Sequence, residues 1–191
     1  MIKIERLPSP EILVENFEAR TAAFVANSNQ KVFDCRTKLY KRIKERLMSM
    51  TNAHCSFCDG FPIANTGDAI EHFKPSSVYY ELAYQWGNLY YICTKCNGVK
   101  GHRFHNDLLR PDEITYFFEH FFDYNAREAK LEPAKGILEE DILRAKKTIE
   151  LYDLNRNENK TERRRLIKIF IKGIHERDDF PFRYIIDLGL I

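Results

Sequence analysis

Cys55-Ser56-Phe57-Cys58 and Cys93-Thr94-Lys95-Cys96-Asn97-Gly98-Val99-Lys100 enclose two shorter phrases, Ile70-Glu71-His72-Phe73-Lys74-Pro75 and Trp86-Gly87-Asn88-Leu89. Two thiolates with two residues between them grip one ion from a tight turn. Two such turns complete a closed tetrahedral shell, the arrangement of a structural zinc. Cys55, Cys58, Cys93 and Cys96 are therefore expected to hold Zn2+. The competing reading is four buried or redox-active cysteines. The pairs stand 34 residues apart, longer than a simple ribbon, so a subdomain is expected between them. Asp59-Gly60 marks the turn after the first pair, and His54 reads as an exposed neighbour. The enclosed carboxylate, imidazole and amides form a second set of donors, suited to a hydrolytic metal site.

Outward from this stretch, the chain has 191 residues and a net charge of +2. That length fits one domain, or one small module with helical additions, and can bury a core without disulfides. No secretory leader is visible in Met1-Ile2-Lys3-Ile4-Glu5-Arg6, and no apolar run is long enough to span a bilayer. A cytoplasmic protein is expected, and in that compartment paired cysteines read as metal ligands. Cys35 reads as a small buried residue of a helix-like segment. Basic residues cluster at Arg36–Arg46 and around Arg163-Arg164-Arg165. Such clusters either neutralise phosphates or form solvated helix faces.

Ser9-Pro10-Glu11 starts a helix with Ile12, Phe17, Ala19, Ala23 and Phe24 on its apolar face, ended by Asn27-Ser28-Asn29. The spacing of Val32, Leu39, Ile43, Leu47 and Met50 predicts a second helix over 31–50. Strands are expected at 69–73 and 88–93, a short helix near 79–84, and a helix from Cys96. The aromatic run 114–124 reads as a strand pairing with 129–131. Further helices are expected at 139–151 and 159–177, before an apolar tail from Phe180. The chain thus divides into N-terminal helices (1–50), a zinc-stapled module (51–109), and a C-terminal hairpin with helices (110–191).

The enclosed stretch resembles the HNH nuclease superfamily, the ββα-metal finger. The likeness rests on Glu71-His72-x-x-Pro75, Asn88-Leu89 and Cys93-x-x-Cys96-Asn97-x-x-Lys100, including the nine-residue step from Asn88 to Asn97. It implies an α+β fold: a ββα-metal finger stapled by a four-cysteine zinc site within a mostly helical domain. It implies an endonuclease that hydrolyses phosphodiesters, with DNA favoured over RNA. Glu71 and the Asn97 amide oxygen would hold Mg2+ or Mn2+. His72 would act as general base on the attacking water. Asn88 would orient His72 or fix the loop, and Lys100 would contact the substrate phosphate. Two departures stand out: Glu71 replaces the more usual Asp, and Gly101 leaves no second helix-borne histidine. His102 and His105 read as polar surface around a basic loop, with contact to substrate or metal as the other reading.

The flanks also resemble the HNH nuclease subunit of Septu and retron anti-phage defence systems, in Met1-Ile2-Lys3-Ile4 with Pro8 and in Thr148-Ile149-Glu150-Leu151-Tyr152-Asp153-Leu154-Asn155-Arg156. That likeness implies nucleic acid and an ATPase subunit as partners and no membrane. The tail from Phe180 would close the core or dock the partner. The alternative is a non-catalytic zinc module that binds nucleic acid or a protein.

Overall fold

A computed structural model describes residues 1–27, 33–61, 67–170 and 176–189. Its centre is one antiparallel hairpin, β1 (Asp68–His72) against β2 (Leu89–Cys93), with Glu71 opposite Tyr90 and His72 opposite Leu89. The helix α3 (Thr94–Lys100) follows β2 directly. All five residues of β2 are buried, because the strand is covered on both faces.

Alternation along the strands sorts the core into two layers. Ile70, Leu89 and Tyr91 face one layer with Leu13, Phe24, Leu39, Ile43 and Leu47. These come from α1 (Glu11–Ala26) and α2 (Lys38–Ser49). Phe73, Tyr90 and Ile92 face the other layer, which contains the four paired cysteines and the C-terminal third of the chain. That third comprises α4 (Phe118–Phe121), the hairpin β3 (Phe122–Asn125) and β4 (Lys130–Pro133), α5 (Glu139–Leu151), α6 (Asn157–Phe170) and α7 (Tyr184–Asp187). Among the described residues the fold is mixed α/β, with seven α-helices and two small sheets, and none of the helices is long and apolar enough to cross a membrane.

Several expectations are corrected. The predicted α1 face omitted Leu13, which is buried, and included Ala19 and Ala23, which are exposed. The helix ends at Ala26 with Asn27 as its cap; residues 28 and 29 of the expected stop lie outside the described residues. The predicted second helix began at Lys31, but α2 starts at Lys38; residues 31 and 32 lie outside the described residues. A local cap decides this: Thr37 Oγ1 accepts from the Tyr40 amide at 3.2 Å and donates to the Asp34 carbonyl at 2.8 Å. Cys35 consequently sits in a turn, exposed rather than buried. Of the predicted strand 114–124 only Phe122, Asp123 and Tyr124 lie in a strand, and the preceding four residues form α4. Residues 139–151 form α5 as expected, with Ala145, Thr148 and Leu151 buried. Residues 171–175 of the predicted last helix lie outside the described residues.

The tail closes the core. Phe180, Phe182, Tyr184 and Ile185 are all buried. Asp59, at φ 60° in the turn after the first cysteine pair, anchors this closure. Its carboxylate meets Arg183 at 2.8 Å, and its carbonyl accepts from the Phe182 amide at 2.8 Å. His54 is fully buried, not exposed, with Nε2 2.8 Å from the Phe180 carbonyl. Arg163 is also fully buried. It donates to Tyr184 Oη at 2.8 Å and to the carbonyls of Ala129 and Leu154 at 3.0 and 2.8 Å. The Arg163-Arg164-Arg165 run is therefore not a uniform basic face.

Candidate functional site

The sequence brings the four cysteines together by two different turns. Cys55 to Gly60 closes on itself: the Cys55 amide donates to the Gly60 carbonyl and the Asp59 amide to the Cys55 carbonyl, each at 2.9 Å. Gly60 N–H then points at Cys58 Sγ, 3.4 Å away. The second pair straddles the start of α3, where Cys93 caps the helix and its sulfur accepts from the Cys96 amide. All four Sγ atoms lie within 4.8 Å of one another, and those of Cys58 and Cys93 are 3.8 Å apart. A tetrahedron with bonds of ~2.3 Å to sulfur has an edge of ~3.8 Å. The donor type, number and spacing thus fit one zinc ion. Burial pushes the Cys55 thiol up, whereas hydrogen bonds from Cys55, Cys93 and Cys96 hold Cys58 well below the usual range.

The segment from Thr148 to Arg156 packs against this centre. Thr148 Oγ1 accepts from the Leu109 amide at 2.9 Å. The Tyr152 ring stacks on Phe57, inside the first cysteine pair, with centroids 3.9 Å apart. Asn155 pairs with both backbone groups of Leu131 at 2.8 Å. Arg156 reaches the sulfurs themselves. No feature of the spacing announces that contact; an arginine beside several thiolates becomes visible only once the chain is folded.

Glu71 and His72 project to opposite faces of β1. Glu71, 4% exposed, pairs with the Lys100 ammonium, itself 1% exposed. Lys100 also donates to the His72 carbonyl at 3.0 Å. Burial pushes the Glu71 carboxyl up to about 7, against the opposing pull of Lys100. The family resemblance has Lys100 reaching outward to a phosphate; its ammonium instead lies inside, on Glu71. Asn97 sits half-buried on α3, one residue after Cys96.

On the other face the His72 ring stacks on Phe33, with centroids 5.7 Å apart and planes within 14°. Its Nε2 lies 2.8 Å from the Ala83 carbonyl. A carbonyl only accepts, so Nε2 carries the hydrogen and Nδ1 keeps the lone pair. Burial holds the ring down to about 4, opposed by the Ala83 bond and reinforced by the Lys100 charge. The imidazole is therefore neutral at physiological pH.

Asn88 does not touch that ring in its described hydrogen bonds. It pins the loop between the strands instead. Its Oδ1 accepts from the Lys74 amide at 2.8 Å, and its Nδ2 donates to the Lys74 and Leu82 carbonyls at 3.0 and 3.1 Å. The held residue, Leu82, immediately precedes the carbonyl that orients His72. His102 and His105 are exposed, 3.1 Å from Ser77 Oγ and from the Asp107 carboxylate respectively.

The chain is similar to Septu protein PtuB. Two relatives of that name align with it. The one from Bacillus thuringiensis is 34% identical over 102 residues, 53% of this chain and 37% of that protein. The one from Bacillus mycoides (strain KBAB4) is 26% identical over 117 residues, 51% of this chain and 40% of that protein. The alignments thus cover about two fifths of these relatives. No protein-family profile matches the chain.

Proposed function

We propose that this protein is a metal-dependent endonuclease of an anti-phage defence system, with His72 as general base. The observation that carries the reading is the Nε2–H bond from His72 to the Ala83 carbonyl. It puts a hydrogen on Nε2, so the neutral ring carries its lone pair on Nδ1, the form that activation of water requires. Asn88 acts at one remove, by holding the loop that presents that carbonyl. Further support comes from the strand–strand–helix order of β1, β2 and α3, which carries Glu71, His72, Asn88 and Asn97 in the sequence expected of an HNH finger. The relatives named Septu support the defence role; nucleic acid as substrate and an ATPase subunit as partner are carried by the family resemblance alone.

By donor type, the Glu71 carboxylate and the Asn97 amide suit a hard cation such as Mg2+ or Mn2+. Such an ion, when bound, would neutralise the phosphate and the developing alkoxide. Lys100 now meets the Glu71 charge, so Glu71 serves the ion only once Lys100 releases it. That pairing favours the alternative, a non-catalytic zinc module.

The test compares wild type with His72→Ala on plasmid DNA and on RNA, with Mg2+ or Mn2+, and with zinc content measured in both proteins. The variant should lose cleavage at unchanged zinc stoichiometry. Equal cleavage by both proteins would remove His72 from the chemistry. Binding of DNA without cleavage under every metal and partner condition would favour the non-catalytic module.

A further inference from the structure

Arg156 touches three of the four cysteine sulfurs. Its Nη1 is 3.4 Å from Cys96 Sγ, and its Nη2 is 3.7 Å from Cys58 Sγ and 4.0 Å from Cys93 Sγ. The guanidinium is held by the structure around it: Nη1 also donates to the carbonyls of Tyr152 and Asp153, at 3.5 and 3.3 Å. It lies just before α6, after a segment that Asn155 and Tyr152 fasten to the core. Neither nucleic-acid chemistry nor closure of the fold accounts for a charged fork aimed at sulfur.

Four thiolates around one divalent ion leave two uncompensated negative charges. In a buried site that excess is costly. A guanidinium cancels one charge and supplies charge-assisted hydrogen bonds that spread the remaining electron density. It also occupies one wall of a cleft of about 420 Å³ that runs to the cluster. Cys58 and Cys93 line this cleft, together with Lys95, Glu162 and Phe182. A chelator or an electrophile approaching by that route meets the guanidinium beside the two sulfurs.

We propose that Arg156 is a positioning residue of the four-cysteine centre: it caps the thiolates and holds the zinc against loss. The inference rests on the zinc reading and is independent of the nuclease reading. The test uses the full chain, loaded with zinc, and follows transfer of zinc to a chromophoric chelator in wild type, Arg156→Met and Arg156→Lys. Loss of an outer partner of a metal ligand costs about ten- to a hundredfold in metal affinity. Arg156→Met should therefore release zinc at least about tenfold faster than wild type. Arg156→Lys, which keeps the charge but not the fork, should fall between them. Release from Arg156→Met at the wild-type rate overturns the proposal, as does release from Arg156→Lys as fast as from Arg156→Met. Should Arg156→Met fail to fold, Arg156→Gln takes its place under the same criteria. Metal analysis of the wild type separates the two layers: a purified chain without zinc overturns the zinc reading and the cap together, whereas a zinc-bearing chain insensitive to residue 156 overturns the cap alone.

Discussion

Replacing Lys100 with methionine gives the sharpest test of the buried side of β1. The ammonium and the Glu71 carboxylate are both almost wholly inaccessible. Removing one member of such a pair strands the other, at a cost that reaches about 3–5 kcal/mol once Glu71 is ionised. The pH dependence carries more information than the size. The folded pKa of Glu71 is raised to about 7, so its protonated form favours the folded state. Its contribution is fully present below the unfolded value near 4.5 and is lost as pH rises toward the folded value. In wild type that loss ends at about pH 7. Without the ammonium the folded pKa rises further, so the loss continues upward at about 1.4 kcal/mol per pH unit. The deficit of Lys100→Met should thus be flat below about pH 7 and widen above it. Urea denaturation at constant free zinc, from about pH 6 to 9, reads this directly. In the double variant that also carries Glu71→Gln the widening should vanish. A deficit that is constant with pH, or that widens equally when Glu71→Gln is present, would refute the buried pair as its cause.

Other perturbations follow from the same geometry. The folded pKa of His72 is lowered to about 4, so the unfolded chain takes up the proton first. Stability from this group, roughly 3 kcal/mol in all, is present above about pH 6.5 and lost as pH falls toward about 4; His72→Gln should flatten that part of the profile. Arg163→Met takes the guanidinium from the Ala129 carbonyl, from Tyr184 Oη and from the Leu154 carbonyl, which keeps Asn159, and should cost about 3 kcal/mol, a fall in Tm of roughly 6–12 °C. Arg164→Ala and Arg165→Ala, on the exposed side of α6, should stay within about 0.5 kcal/mol of wild type in the same thermal melts. The Tyr152 hydroxyl is buried with no hydrogen-bond partner among the described residues. Tyr152→Phe should therefore be neutral or stabilising by up to about 1 kcal/mol, and a clear loss of Tm would reveal a partner. Chelation of zinc should abolish the cooperative melt, since binding energy at such a site is folding energy.

Where periodicity or local chemistry acts alone, the sequence is a sufficient guide. Both strands of the central hairpin, the helix after Cys93 and the whole of α5 lie within a residue or two of where their patterns put them. The four cysteines converge because two short turns and one hairpin dictate it. The failures share a cause in contacts between residues remote in sequence. His54 and Arg163 look like surface groups until Phe180 and Tyr184, distant along the chain, cover them. Lys100 looks like a phosphate ligand because helical spacing says which face it shares with Asn97, not what stands opposite that face. The start of α2 departs from the apolar spacing because Asp34 and Thr37 cap the helix and override the pattern that runs through them. The carbonyl that sets the His72 tautomer has no side-chain signature, so no residue pattern could name Ala83.

The cover over the cysteine cluster has a consequence for synthesis. Tyr152, Arg156, Phe182 and Arg183 all emerge from the ribosome long after Cys96, the last of the four thiols. For that interval, several seconds at ordinary elongation rates of ~5–20 residues per second, the paired turns exist without their lid. An ion captured in that open interval would be enclosed once the C-terminal third arrives. Pulse-labelled chains truncated after residue 110 should accordingly take up zinc faster than the finished protein stripped of it.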